Sequence, residues 1–413
     1  MHNMSQSFWL TNVSLETGYE FEGNLVQTTK TEKFHIRVEN GKFAEMIPAT
    51  TLNTDLPKVD MKNLLMLPSF KEMHIHIDKT YYGGPWKAVR PVRSILGRME
   101  EERELLPKQL PTAQDRAEKI LGLLLSHGST HVRTHCNIDP VIGLKNLEAT
   151  MMALENFSGK LSHEVVAFPQ HGLLRSGVES EMREAMKLGA TYVGGVDPAT
   201  VDEDMEKSLH TIIDIAIEAA AKIDIHIHDR GQIGIATMNR LADLTEEAGM
   251  QGRVTVSHAF GFAGKQSNAV VELAERFAQL HIDITSTVPI GGFIMPIPFL
   301  HDKGVKVGLG TDSLTDHWSP FGNGDNLEKA GRLAELYRYV DEQSLSQALG
   351  FITDGVTPLN KDGDRVWPRL GEDCDVVFVE ASCSAEAVAR RAARKAVFYK
   401  GRLVFDNVGE YDE

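Results

Sequence analysis

Cysteine is scarce, with only Cys136, Cys374 and Cys383 in 413 residues. They are too few and too scattered for a disulfide framework or a cysteine-rich zinc site, and a reducing cytoplasm is the expected compartment. Long apolar runs are missing too. No stretch of about 18 apolar residues occurs, so no membrane span is expected. The stretch Met1-His-Asn-Met-Ser-Gln-Ser has no basic segment followed by an apolar core, so no secretory signal is expected. Positive charge is in deficit: 43 lysines and arginines stand against 58 acids, for a formal net charge of -15. Most of the surface would repel a polyanion. That excludes a general nucleic-acid binder but leaves room for a small anionic substrate held by local bases. The remainder is ordinary for a globular protein, 42% hydrophobic and 24% charged, with chain enough for one large domain or two moderate ones. Composition leaves a homo-oligomer open.

Residues 8–49 read as short strands, with Asn40-Gly41 as a hairpin turn between alternating apolar residues. From Leu67 onward, apolar strand-like runs alternate with helical segments. Eight such runs are expected: Lys71–Asp78, Thr130–Asn137, Glu164–Gln170, Tyr192–Asp197, Ile223–Asp229, Val254–Phe260, Ile282–Val288 and Val305–Asp312. Eight βα units over about 250 residues predict a (β/α)8 barrel. The gap between the first two runs is longer and holds the charged stretch Arg98–Arg103, so a loop over the barrel mouth is expected there. Strand-like pieces return near Cys374, Ala396 and Arg402. They would complete a small β-sandwich begun at the other chain end. The expected division is residues 1–66 with 360–413 for the sandwich and 67–359 for the barrel.

The polar residues gather at the C-terminal ends of the runs, where barrel enzymes build their sites. Run one ends His74-Ile-His-Ile-Asp. Strand alternation puts His74 and His76 on one face, where both could reach a single ion. Run two ends Arg133-Thr-His-Cys-Asn, and run three Ala167-Phe-Pro-Gln-His. Run four ends Gly-Gly-Val-Asp197. Run five repeats the first pattern with His226 and His228. His258 sits near the end of run six, and Asp312 ends run eight. Gly308 and Gly310 share the parity of Asp312, which predicts a bare inner face with space for an ion or substrate.

His-x-His on strand one, histidines on strands five and six and an aspartate on strand eight resemble the amidohydrolase superfamily. The segments His74-Ile-His-Ile-Asp-Lys, Val166-Ala-Phe-Pro-Gln, His226-Ile-His-Asp and Thr311-Asp-Ser-Leu-Thr-Asp-His-Trp resemble the branch of cytosine deaminase and the N-isopropylammelide amidohydrolases. The resemblance implies one divalent ion, zinc or iron(II), held by His74, His76, His226 and Asp312. It implies a metal-dependent hydrolase that removes ammonia or an amine from a cyclic amidine-like carbon of a small nitrogen heterocycle. Asp312 would move the proton of the attacking water, and His258 would polarise the attacked carbon's substituent or steer the water. Gln170 would bind a ring amide and Trp318 would line the ring pocket. Lys79 is a candidate for a substrate anion.

The chain departs from cytosine deaminase in two places. Asp229 stands where that enzyme has a longer glutamate, with His228 beside it, and Ser313 stands where it has an aspartate after the metal ligand. The expected general acid is therefore among His228, Asp229 and His258, with Ser313 lining the substrate pocket. Two other readings remain: a cyclic-amide hydrolase of the hydantoinase type, against which the missing strand-four lysine weighs, and a non-catalytic barrel.

Overall fold

The computed structural model describes residues 6–264 and 267–408. Most of the N-terminal stretch read for a secretory signal, residues 1–5, lies outside them. All eight expected runs form one parallel sheet, in sequence order around the barrel: Phe70–Ile75, Ser129–Asn137, Ser162–Phe168, Tyr192–Val196, Lys222–His226, Val254–Ser257, Asp283–Ser286 and Val307–Leu309. They are called barrel strands one to eight below. The ring closes where Ile75 bridges Asp312, with Asp312 N–H donating to the His74 carbonyl at 2.7 Å. Closure thus brings the strand-one histidines and the strand-eight aspartate to one seam.

Gly310 makes that closure possible. A Cβ at this position would lie 2.6 Å from the backbone and Cβ of His74. The expectation of a vacant inner face is corrected here, because the space beside Gly310 is filled by His74 itself. The glycine serves close approach of two strands. Glu72 clamps the same seam, accepting hydrogen bonds from His74 N–H (3.0 Å), Thr311 N–H (2.9 Å) and the Thr311 hydroxyl (2.8 Å).

Both chain ends build a second eight-stranded sheet, which includes Ser7–Glu22, Leu25–Glu39, Leu65–Pro68, Val376–Val379 and Arg394–Tyr399. Asn40 and Gly41 both take positive φ in the hairpin turn, the geometry that Asn-Gly favours. Period-two alternation gives this sheet two apolar faces. Met66, Val376, Phe378, Ala396 and Phe398 enter its own core, while Leu65, Leu67, Val377, Val379 and Val397 pack into the barrel's core. The rings of Phe8 and Phe398 lie 6.5 Å apart although their strands stand three places apart in the sheet. Flat strands at that separation would be about 14 Å apart, so the sheet folds over on itself.

Helices cover the barrel between strands. Helix Gly231–Glu247 begins seven residues earlier than its apolar periodicity suggests. Gly231 and Gly234 mask its start, and Gly234 is needed because a Cβ there would meet Gly261 Cα at 2.9 Å. The long insertion after strand one carries helix Ile95–Gln109, which matters most for the site. No helix among the described residues is long and apolar enough to cross a membrane.

Candidate active site

At the C-terminal mouth of the barrel, Asp312 Oδ1 lies 3.4 Å from Nε2 of His74 and 3.4 Å from Nε2 of His76. Its Oδ2 lies 3.9 Å from His258 Nε2. His226 is buried beside them, its ring centroid 4.7 Å from that of His74 and 5.0 Å from that of His258. Five expected residues from strands one, five, six and eight therefore meet. Buried histidines normally find partners for their nitrogens. Here both nitrogens of His226, Nε2 of His74, Nδ1 of His76 and Nδ1 of His258 have no hydrogen-bond partner. Two ligand bonds of about 2.1 Å opened to a tetrahedral angle span about 3.4 Å, the spacing found around Asp312 Oδ1. The donor set fits a divalent transition metal of the zinc or iron type.

Protonation suits that fit. Burial, followed by the charge of Lys79, pushes His76 down to about 3. Burial and neighbouring imidazoles hold His226 and His258 well below the ordinary histidine range. Burial works against the charge of Asp312, but the histidines around it hold its carboxyl well below the usual range. Neutral imidazoles and an ionised carboxylate are the forms a metal requires. His74 is also oriented from behind. Its Nδ1 meets Ser257 Oγ at 2.8 Å, Ser257 donates to Asp224 at 2.6 Å, and Arg133 donates to the other Asp224 oxygen at 3.0 Å. Such outer contacts fix the ligand nitrogen that faces the ion.

Two site residues hold unusual backbone conformations: His258 has φ 69° and Asp312 φ 61°. Strain of this kind collects where side-chain direction matters more than backbone comfort. Asp197, noted in the sequence as the polar end of run four and given no role there, has φ 37° and a distinct task. Its Oδ1 accepts the N–H groups of His228 (2.6 Å) and Asp229 (3.0 Å), and its Oδ2 meets His228 Nδ1 at 2.8 Å. With Nδ1 committed, Nε2 is the nitrogen His228 has for a ligand. Burial opposes protonation of His228, but Asp197 more than offsets it and raises its pKa. Asp229 accepts from Thr200 at 2.8 Å, and burial raises its pKa.

A second polar network at the mouth is organised by residues that sequence reading missed. Glu102, on helix Ile95–Gln109, reaches into the mouth and is fully buried. Its Oε1 accepts from Lys79 Nζ (3.2 Å), His317 Nε2 (2.7 Å) and Trp318 Nε1 (2.8 Å). Its Oε2 accepts from His171 Nε2 (3.0 Å) and Asn137 Nδ2 (3.5 Å). Lys79 also donates to Gln170 Oε1 at 2.7 Å and Asn137 Oδ1 at 3.3 Å. The three N–H donors of Lys79 are thereby committed. Lys79, the candidate for a substrate anion, holds Gln170 in this structure. Gln170 and Trp318 sit together in this network; Ser313 lies half-buried next to Asp312, ahead of Trp318 in the same loop.

Glu102 did leave a trace in the sequence. Met99, Glu102 and Leu106 share a helical face and lie on the buried side of their helix, with Arg98 and Gln109. His135 is the other omission. It shares parity with Arg133, is wholly buried against His74 (4.2 Å between rings) and has no hydrogen-bond partner on either nitrogen. Ligand atoms of His74, His135 and His226 lie within 4.8 Å of one another, as do those of His74, His258 and Asp312.

A model of the amidohydrolase family matches residues 103–405. The chain belongs to that family. It is a hydrolytic enzyme acting on C–N bonds, of a metal-dependent superfamily. It is 47% identical to the uncharacterized protein YahJ of Escherichia coli (strain K12), over 97% of this chain and 88% of that one. It is 30% identical to the N-isopropylammelide isopropyl amidohydrolase of Pseudomonas sp. (strain ADP), over 87% of this chain and 90% of that one. Among solved structures, the N-isopropylammelide isopropylaminohydrolase of Burkholderia multivorans superposes with a TM-score of 0.86 at 28% identity, covering 98% of this chain and 99% of that one. The expected superfamily and the barrel with its chain-end β unit are thus both borne out.

Proposed function

We infer that this amidohydrolase uses one divalent ion, zinc or iron(II), to remove ammonia or an amine from a carbon of a small nitrogen heterocycle. The observation that carries the reading is the buried histidine cluster at Asp312: its Oδ1 lies 3.4 Å from Nε2 of both His74 and His76, while His74 Nε2 and both nitrogens of the adjacent His226 have no hydrogen-bond partner. The likeness to enzymes named for N-isopropylammelide supports the substrate class. His74, His76, His226 and Asp312 would hold the ion, whose contribution is Lewis acidity that activates water at neutral pH.

The chain's own groups do the rest. Asp312 stands within reach of His258 and is ionised, ready to take the proton of an attacking water. His258 Nε2 faces the same point and steers the water or polarises the carbon's substituent. His228, locked by Asp197, offers Nε2 to the departing amine, which leaves only when protonated. Gln170 and Trp318 hold the ring. Asp229 lacks the length of a glutamate and is engaged by Thr200, so cytosine should be a poor substrate.

The test is to load the purified protein with zinc or iron and screen amino-pyrimidines, amino- and alkylamino-triazinones and pterins for ammonia or amine release. Turnover of an alkylamino-triazinone well above that of cytosine supports the reading. Hydrolysis of a cyclic amide, with no amine released from any ring, would refute it.

A further inference from the structure

The Glu102 network has a single direction of hydrogen bonding. A carboxylate only accepts, and an ammonium or an indole N–H only donates. Glu102 gathers donors from the ends of strands one, two and three and from the loop after strand eight: Lys79, Asn137, His171, His317 and Trp318. Because Lys79 has no acceptor, the Gln170 atom 2.7 Å from it must be the amide oxygen. The Gln170 amide is thereby fixed in one of its two orientations. Its Nε2 has no protein acceptor among the described residues, although Gln170 is only 5% exposed.

We propose that Glu102 is a positioning residue for specificity: through Lys79 it turns the Gln170 amide so that only N–H donors face the substrate, and through the indole N–H it sets the plane of Trp318. The ring this site takes must then present a hydrogen-bond acceptor, a ring carbonyl oxygen, to Gln170. An amino group at that position would set donor against donor and leave two polar groups unpaired in a dry pocket. This rests on the heterocycle-hydrolase reading above and on the ring-amide contact expected of Gln170, and assigns to Glu102 the orientation of that contact.

Several features support a specific role over simple packing. The insertion helix has Glu100, Glu101 and Glu104 available, yet the buried position on its Met99–Leu106 stripe is a carboxylate rather than an apolar side chain. A buried carboxylate costs far more than a leucine unless donors meet it. Here the donors come from the residues that flank Gln170 and Trp318. Lys79 also lies 5.4 Å from the centroid of the Trp318 ring, so charge and indole are stacked together.

The experiment uses the full-length, metal-loaded protein and two planar probes. Ammelide carries one amino and two oxo groups; melamine carries three amino groups. Binding is measured by calorimetry for the parent, Glu102→Gln and Gln170→Glu, with metal content and Tm determined on the same preparations. The parent should bind ammelide about tenfold more tightly than melamine or better. Glu102→Gln should cut that preference about tenfold while keeping its metal. Gln170→Glu, which places an acceptor on the pocket side, should abolish or reverse it. Where Glu102→Gln does not fold, Glu102→Asp, which keeps the charge but draws it back by one methylene, should show a smaller loss of preference. An unchanged ratio in a folded, metal-replete Glu102 variant overturns the proposal, and so does a parent that prefers melamine. Should neither ring bind the parent, the heterocycle reading fails, and indole emission decides the positioning role. A Glu102 variant must then shift the emission in the parent background and not in Trp318→Phe. Absence of that shift overturns the role as well.

Discussion

Replacing Asp197 by asparagine separates the chemistry of the His228 dyad from its folding role. The asparagine oxygen can still accept the N–H groups of His228 and Asp229, which Asp197 holds at 2.6 and 3.0 Å. Backbone geometry should survive, and the loss of stability should stay within about 1 kcal/mol, the worth of one ordinary hydrogen bond. The other oxygen becomes an NH2 group facing His228 Nδ1, where Asp197 Oδ2 now lies at 2.8 Å. His228 must then carry its proton on Nε2 and accept through Nδ1, and its imidazolium loses the adjacent charge. Neutral His228 with its single proton on Nε2 is a far weaker acid than the imidazolium, so the departing amine loses its proton source. General acid catalysis is typically worth about 10²–10⁴-fold, so kcat should fall by about that factor with metal content unchanged. Asp197→Ala provides the contrast. It orphans two backbone donors as well and should lower stability by a further ~1–3 kcal/mol. Steady-state kinetics on the best substrate of the screen, with thermal melts of both variants, makes the comparison. A kcat within threefold of the parent in Asp197→Asn would show that His228 does not protonate the leaving group.

Gln170→Ala removes one hydrogen bond in a dry pocket and should lower kcat/KM roughly 5- to 150-fold, or about 1–3 kcal/mol, without loss of metal; an unchanged kcat/KM removes Gln170 from the substrate's contacts. Glu16, far from the barrel mouth, has its carboxyl pushed up to about 7, first by burial, against the hydrogen bond from Ser384 N–H. A carboxyl whose folded pKa exceeds its unfolded value favours folding least at high pH, so stability should fall as pH rises from about 4.5 to 7. Glu16→Gln should flatten that part of the Tm profile. A variant that tracks the parent in parallel from pH 5 to 8 would contradict this. Chelation should lower Tm as well as stop turnover, since a ligand present at about 100 times its Kd stabilises the folded state by ~2.7 kcal/mol. Equal melts with and without chelator would argue against an ion at Asp312.

The barrel was legible because its strands are apolar runs whose polar ends coincide with the mouth: His74, His76, His226, His258 and Asp312 announce themselves by parity and position. The long insertion was legible only as a charged segment. Among Glu100, Glu101, Glu102 and Glu104, composition cannot tell which points inward; only the apolar neighbours Met99 and Leu106 single out Glu102. Its partners come from four different barrel loops, and such convergence exists only in three dimensions. Asp197 was visible as a residue but not as a latch, because its partners lie 31 and 32 positions along the chain. Gly310 was misread for a related reason. Parity showed which way its missing side chain would point, but not that strand closure would bring His74 into that space.

Metal analysis of the parent and of Asp312→Ala, alongside amine release on the same preparations, decides whether Asp312 carries a single-ion hydrolytic centre. The active parent should hold close to one zinc or iron per chain, and Asp312→Ala should lose most or all of both metal and turnover. Two tightly held ions per chain, or full turnover in Asp312→Ala, would contradict this.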